Sequence, residues 1–268
     1  MSRSKAPSSS QSALMADLSL TTWLLFALAA LIVGLAKTSI GGLATLAVVI
    51  FASQLPARES TGALLPLLMV GDVLAVVAYR RHANWRLLSR LFPWLAVGVL
   101  LGVVFVARVD DSVMRRTIGL VLLVLVAVQL LSRHGRASAW RTDANAIRRT
   151  RVQQIATASV GVCAGFVTMV ANAAGPVTTI YFLMAGLSML EFLGTGAWLF
   201  LVVNLFKLPF SIGLGLVSAS SLGTDVLLAP LVLLGAGLGY LLVRRINQDQ
   251  FEWLVLVLAG VSAVPLVL

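Results

Sequence analysis

A lysine, two hydroxyls and a glycine pair interrupt an apolar run at residues 34–46, GLAKTSIGGLATL. Residues of these types could hold a small oxyanion. Glycine lets a ligand approach the backbone, and the hydroxyls of Thr38 and Ser39 offer hydrogen bonds. A helix starting after Gly41 and Gly42 would point its first amides back toward them, with the positive end of its dipole. A second stretch, ANAAGP at 171–176, has the same character. Asn172 adds an amide side chain, Gly175 a close approach, and Pro176 suits the first position of a new helix. For either stretch alone, tight helix packing through small residues is the plainer alternative. Recurrence of the break in both halves of the chain favours a site.

Charges near the breaks extend the picture. Lys207, in NLFKLPFSIGLG, lies well inside an apolar run, where a buried ammonium costs several kcal/mol unless it is paired. Asp72, in MVGDVLAVVAY, is its near-equivalent 135 residues earlier. An Asp72–Lys207 pair would relieve both charges; alternatively Lys207 binds the anion and Asp72 relays protons. Asn204 precedes Lys207 by about one turn and faces the same way. Lys37 either supplies positive charge beside the first break or snorkels to the surface.

Other polar residues point to no chemistry. Glu191 reads as a solvated loop residue. His82 and His134 lie in basic loops with no ligand partners nearby, so no metal site is expected. Cys163 is the single cysteine, which leaves no intrachain disulfide. Trp85, Trp94, Trp140 and Trp253 suit membrane interfaces. There is no GxxxxGK[ST] motif and no nucleophile triad or carboxylate pair, so neither catalytic residues nor a cofactor are expected.

The elements that must position these residues are membrane helices. Hydrophobic residues make up 59% of the 268 and charged ones 11%, against about a quarter charged in soluble domains. The net charge of +10 sits in arginine clusters between apolar runs, which speaks for cytoplasmic loops and against nucleic acid. About 20 apolar residues cross a bilayer. Long candidates are 20–36, 61–79, 91–107, 117–131, 155–170, 194–216, 224–243 and 253–268; the segments 42–53 and 176–186 reach only part way. The expected fold is therefore an all-α polytopic membrane protein with about eight long transmembrane helices and two short broken or re-entrant ones. Residues 1–17 read as a disordered tail.

The chain also looks duplicated. STGALLP at 60–66 matches GTGAWLF at 194–200, and Gly98 and Gly102 match Gly235 and Gly239. The halves are 18–131 and 152–268, joined by a basic linker, 132–151. The loop at 80–90 holds four arginines; its counterpart at 217–224 holds no Lys or Arg, which predicts inverted-topology repeats. With both termini outside, the loops at 80–90, 132–154 and 243–252 carry twelve Lys and Arg against six in the outer segments. That satisfies the positive-inside rule for a multi-pass protein of the cytoplasmic (inner) membrane.

GLAKTSIGGLATL, GDVLAVVAYRRHANW and NLFKLPF together resemble the TauE/SafE family of sulfite exporters and related permeases, over residues 20–268. The resemblance implies a membrane transporter of sulfur-containing anions or organic acids with two homologous halves. It places Gly41 and Gly42, Asp72 with Tyr79, and Asn204 with Lys207 at positions where the family has such residues. The second break, NAAGP, has fewer glycines than the family pattern. The expected activity is secondary transport, export in direction, of sulfite or an organosulfonate; a passive anion channel or an organic-acid permease is the alternative. The expected partners are a small anion and the bilayer, and a homodimer is one arrangement open to such a chain.

Overall fold

The computed structural model describes residues 19–39, 43–135 and 151–242. The tail at 1–17, most of the linker, Gly41, Gly42 and the last expected helix at 253–268 lie outside them wholly or in part. The described residues form nine α-helices and no strand: α1 (Leu20–Thr38), α2 (Ala44–Gln54), α3 (Ala57–Tyr79), α4 (Trp85–Arg108), α5 (Asp111–Gly135), α6 (Arg151–Ala171), α7 (Gly175–Met184), α8 (Met189–Gly213) and α9 (Ala219–Leu242). Six are long and apolar enough to cross a membrane: α1, α3, α4, α6, α8 and α9. α5 carries the expected apolar run at 117–131.

Both faces of these helices are apolar, and that identifies the solvent. On α4 a stripe of Leu91, Leu95, Val99 and Val106 is buried, while Trp94, Val97, Leu101 and Val104 lie exposed on the other side. α5 buries Met114, Ile118, Leu122 and Leu125 at helical spacing and exposes Leu120, Val124 and Val128. A soluble helix would place polar residues on its outer face; here the outer face suits lipid.

Helix starts follow their sequence signals. Ser19 caps α1 by accepting from the Thr22 amide at 3.2 Å, and Asn84 caps α4 by accepting from Leu87 at 3.1 Å. Ser188 and Glu191 form a capping box at the start of α8. Glu191 is thus a helix-cap residue, not the loop residue expected from sequence.

Glycines bring two helix pairs into backbone contact. A side chain on Gly34 would strike the Val232 carbonyl and the Ala236 amide; one on Gly235 would strike the Leu31 carbonyl; one on Gly239 would strike Thr38 and Leu35. α1 and α9 therefore run parallel. The same contacts recur between α4 and α6: Gly165 against Leu95 and Val99, Gly98 against Val162, Gly102 against Met169 and Phe166. Each α4 residue stands 137 before its α9 counterpart, and each α1 residue 131 before its α6 counterpart. Pro93 and Pro230, inside α4 and α9, keep the spacing of 137.

The two short helices turn back. The Thr22 hydroxyl near the start of α1 donates to Gln54 at the end of α2 (3.1 Å), so α2 returns along α1. Thr157 near the start of α6 meets the Tyr181 hydroxyl of α7 at 3.1 Å, so α7 returns along α6. At about 1.5 Å per residue, α7 covers only about 15 Å.

Candidate functional site

Both turns border one cavity. It is lined by Ala36 and Lys37 of α1, Ala44 and Thr45 at the start of α2, and Leu68, Asp72 and Ala75 of α3. From the second half come Thr168, Asn172 and Ala173 at the end of α6, Gly175 and Pro176 at the start of α7, and Phe200 and Asn204 among the residues of α8. Its volume is about 50 Å³.

Both breaks are tied to α3 by side-chain hydrogen bonds. The Tyr79 hydroxyl at the end of α3 donates to the Thr38 carbonyl at 2.9 Å. Near the opposite end of α3, the Thr61 carbonyl accepts from the Asn172 amide at 2.8 Å. Eighteen residues of α3 separate these anchors, about 27 Å of helix. The first anchor satisfies a backbone carbonyl at a break, which lipid could not do, and the second ties the Asn172 side chain to α3. Asn172 has φ 51°, the left-handed region that ends helices and that asparagine tolerates.

The charged residues pair differently from expectation. Lys37 Nζ lies 2.6 Å from Asp72 Oδ1 and 4.5 Å from the centroid of the Phe200 ring, a cation–π contact. Its side chain is 10% exposed, so it turns inward and does not snorkel. Gly71 makes this possible, because the Lys37 stem lies where a side chain on Gly71 would stand. The second Asp72 oxygen accepts from Asn204 at 2.6 Å. Lys207, 2% exposed, donates to Asn172 Oδ1 at 2.5 Å, to the Thr168 carbonyl at 2.9 Å and to Thr168 Oγ1 at 3.3 Å. The expected Asp72–Lys207 pair is therefore replaced, among the described residues, by an Asp72–Lys37 pair. Lys207 is drawn instead to the carbonyl end of α6, where a cation complements the helix dipole.

The remaining expected residues divide. Asn172, Gly175 and Asn204 line the cavity. Lys207 stands one hydrogen bond behind it, through Asn172 and Thr168. Thr38 and Ser39 do not line it: Thr38 donates to the Ala236 carbonyl at 2.8 Å and to Gly34 at 3.2 Å, and Ser39 donates to Leu35 at 2.5 Å. Gly41 and Gly42 lie outside the described residues, immediately before the start of α2. Thr45, Thr168 and Phe200 were not singled out from sequence. Thr168 carried a usable signal, one turn before the Asn172 break. Asp225 of α9, 6% exposed, is a further buried carboxylate away from the cavity lining.

Fold and site define a polytopic helical membrane protein whose interior cavity is bordered by two broken helices and lined by a lysine–aspartate pair. The family model described as Sulfite exporter TauE/SafE matches residues 26–266, and the chain belongs to that family. It is a family of membrane transporters of sulfite or related anions. No curated protein and no solved structure matches the chain.

Proposed function

We propose that the protein is a secondary transporter that carries a small sulfur-containing anion, sulfite or an organosulfonate, outward across the cytoplasmic membrane, and that the cavity is its binding site. The carrying observation is that one cavity is lined by the starts of α2 and α7, one from each half, and by Lys37. Helix starts present amides and positive dipole ends to an anion, and Lys37 adds an ammonium. Asp72 and Asn204 fix the position of that ammonium. Gly41 and Gly42 would supply further backbone approach. An inside-negative potential favours anion export.

The two halves lie inverted in this reading. The antiparallel packing of α3 against its equivalent α8, with Gly194 against Tyr79 and His82 and Gly62 against Leu216, supports it. Repeats of this kind place substrate between them and expose it alternately to the two sides. Lys207 and Thr38 act on the frame of the site: one closes the end of α6, the other ties α1 to α9.

Flux into proteoliposomes tests the reading, with sulfite, sulfate, taurine and sulfoacetate as solutes. Saturable sulfite movement is expected, reduced at least about tenfold by Lys37→Met, since a buried charged partner is worth more than 1.4 kcal/mol. Non-saturating electrodiffusive flux would identify a channel instead. Unchanged flux in Lys37→Met would remove the cavity from the transport path.

A further inference from the structure

We infer that the cavity selects anions with one negative charge over those with two, because the buried cluster of Lys37, Asp72 and Lys207 holds one surplus positive charge. The inference rests on the cavity being the anion site. Among the described lining residues the charged ones are Lys37 and Asp72, and their 2.6 Å contact makes a neutral pair. The surplus is Lys207, whose donors go to Asn172 and Thr168, both of which line the cavity. No carboxylate within salt-bridge distance faces Lys207 among the described residues.

The geometry accommodates a charged Lys207. The Thr61 carbonyl can only accept, so Asn172 must turn its NH2 toward Thr61 and its oxygen toward Lys207. Lys207 thus faces two atoms that only accept, Asn172 Oδ1 and the Thr168 carbonyl, plus the Thr168 hydroxyl oxygen. The three neighbouring oxygens can take the three donors of an ammonium, with the Thr168 hydroxyl accepting the third. The helix dipoles leave the count unchanged: each break joins a helix end to a helix start, whose partial charges of about 0.5 have opposite sign.

One bound negative charge makes this cluster neutral, and a second leaves an uncompensated charge inside a membrane protein, which is costly. The ligand class is therefore the singly charged sulfonates, R–SO3⁻, and the hydrogen sulfite form of sulfite.

Competition against labelled sulfite in proteoliposomes, at one fixed pH, tests the rule. Methanesulfonate and sulfate are the probes, because they are similar in size and differ in charge. In the wild type, sulfate is expected to compete at least about tenfold more weakly than methanesulfonate, given the cost of a buried unpaired charge. Asp72→Asn adds one positive charge and is expected to move that ratio toward sulfate. Lys207→Met removes the surplus and is expected to weaken competition by methanesulfonate. Equal competition by the two anions in the wild type would overturn the charge rule while leaving sulfite transport standing; that comparison needs no variant to fold. An unmoved ratio in a folded Asp72→Asn protein would also overturn it. Absence of saturable sulfite movement in the wild type would defeat the transport reading and the charge rule together.

Discussion

Asn172 meets three demands at one position. Its backbone takes φ 51°, its NH2 satisfies the Thr61 carbonyl, and its oxygen accepts from Lys207. Two substitutions separate these roles. Asn172→Gly keeps the backbone and loses both side-chain bonds. Asn172→Ala loses the bonds and also strains the backbone, at a further cost of roughly 1 kcal/mol. Thermal unfolding in detergent should rank the wild type above Gly and Gly above Ala; equal melting of the two variants would mean that the break relaxes. Asn204 offers a second test. Asn204→Leu leaves one oxygen of the fully buried Asp72 without its donor, which costs about 1–3 kcal/mol. Asn204→Asp sets a second carboxylate against the first and should melt lower still unless the pair takes up a proton.

Helix packing depends on which glycines meet backbone. In α9, Gly235 lies against the Leu31 carbonyl of α1, whereas Gly237 has nothing within 4 Å. Gly235→Ala must push α1 and α9 apart and should lower the melting temperature clearly. Gly237→Ala should be neutral or stabilising by up to about 1 kcal/mol, from helix propensity alone. Gly98→Ala, at the matching position of α4, should behave like Gly235→Ala. Equal effects at 235 and 237 would show that backbone contact does not hold this pair together.

Part of this level was legible from residues. The apolar runs gave the helices, and glycines clustered with polar side chains inside them marked both breaks. The turn-back of α2 and α7 was not legible, since a short apolar segment suits a crossing or a return equally well. Nor were the partners of the buried charges. Equivalence across the duplication linked Asp72 with Lys207, but equivalence names related positions and says nothing of which side chains meet. Contact depends on the register of α1 against α3, which Gly71 sets by admitting the Lys37 stem. Thr38 and Ser39 were legible in principle. Hydroxyls within or just after a membrane helix commonly bond to the carbonyl four residues back, as Thr38 does to Gly34 and Ser39 to Leu35.

At the scale of the whole molecule, alternation between two sides needs related halves facing opposite ways. The ends of α3 and α8 then emerge on opposite faces of the membrane. His82 follows α3 among four arginines, and Val217 follows α8 in a loop without Lys or Arg. Gly194, near the start of α8, packs against Tyr79 and His82, whereas Gly62, near the start of α3, packs against Leu216, just past the end of α8. These contacts set the two helices antiparallel. In a Cys163→Ser background, which removes the single native thiol, a membrane-impermeant maleimide should label Val217→Cys from outside intact cells. It should label His82→Cys only in inside-out vesicles, where the basic loop faces the reagent. Labelling of both cysteines from the same side would break the inverted arrangement, and with it any mechanism in which the two breaks open by turns.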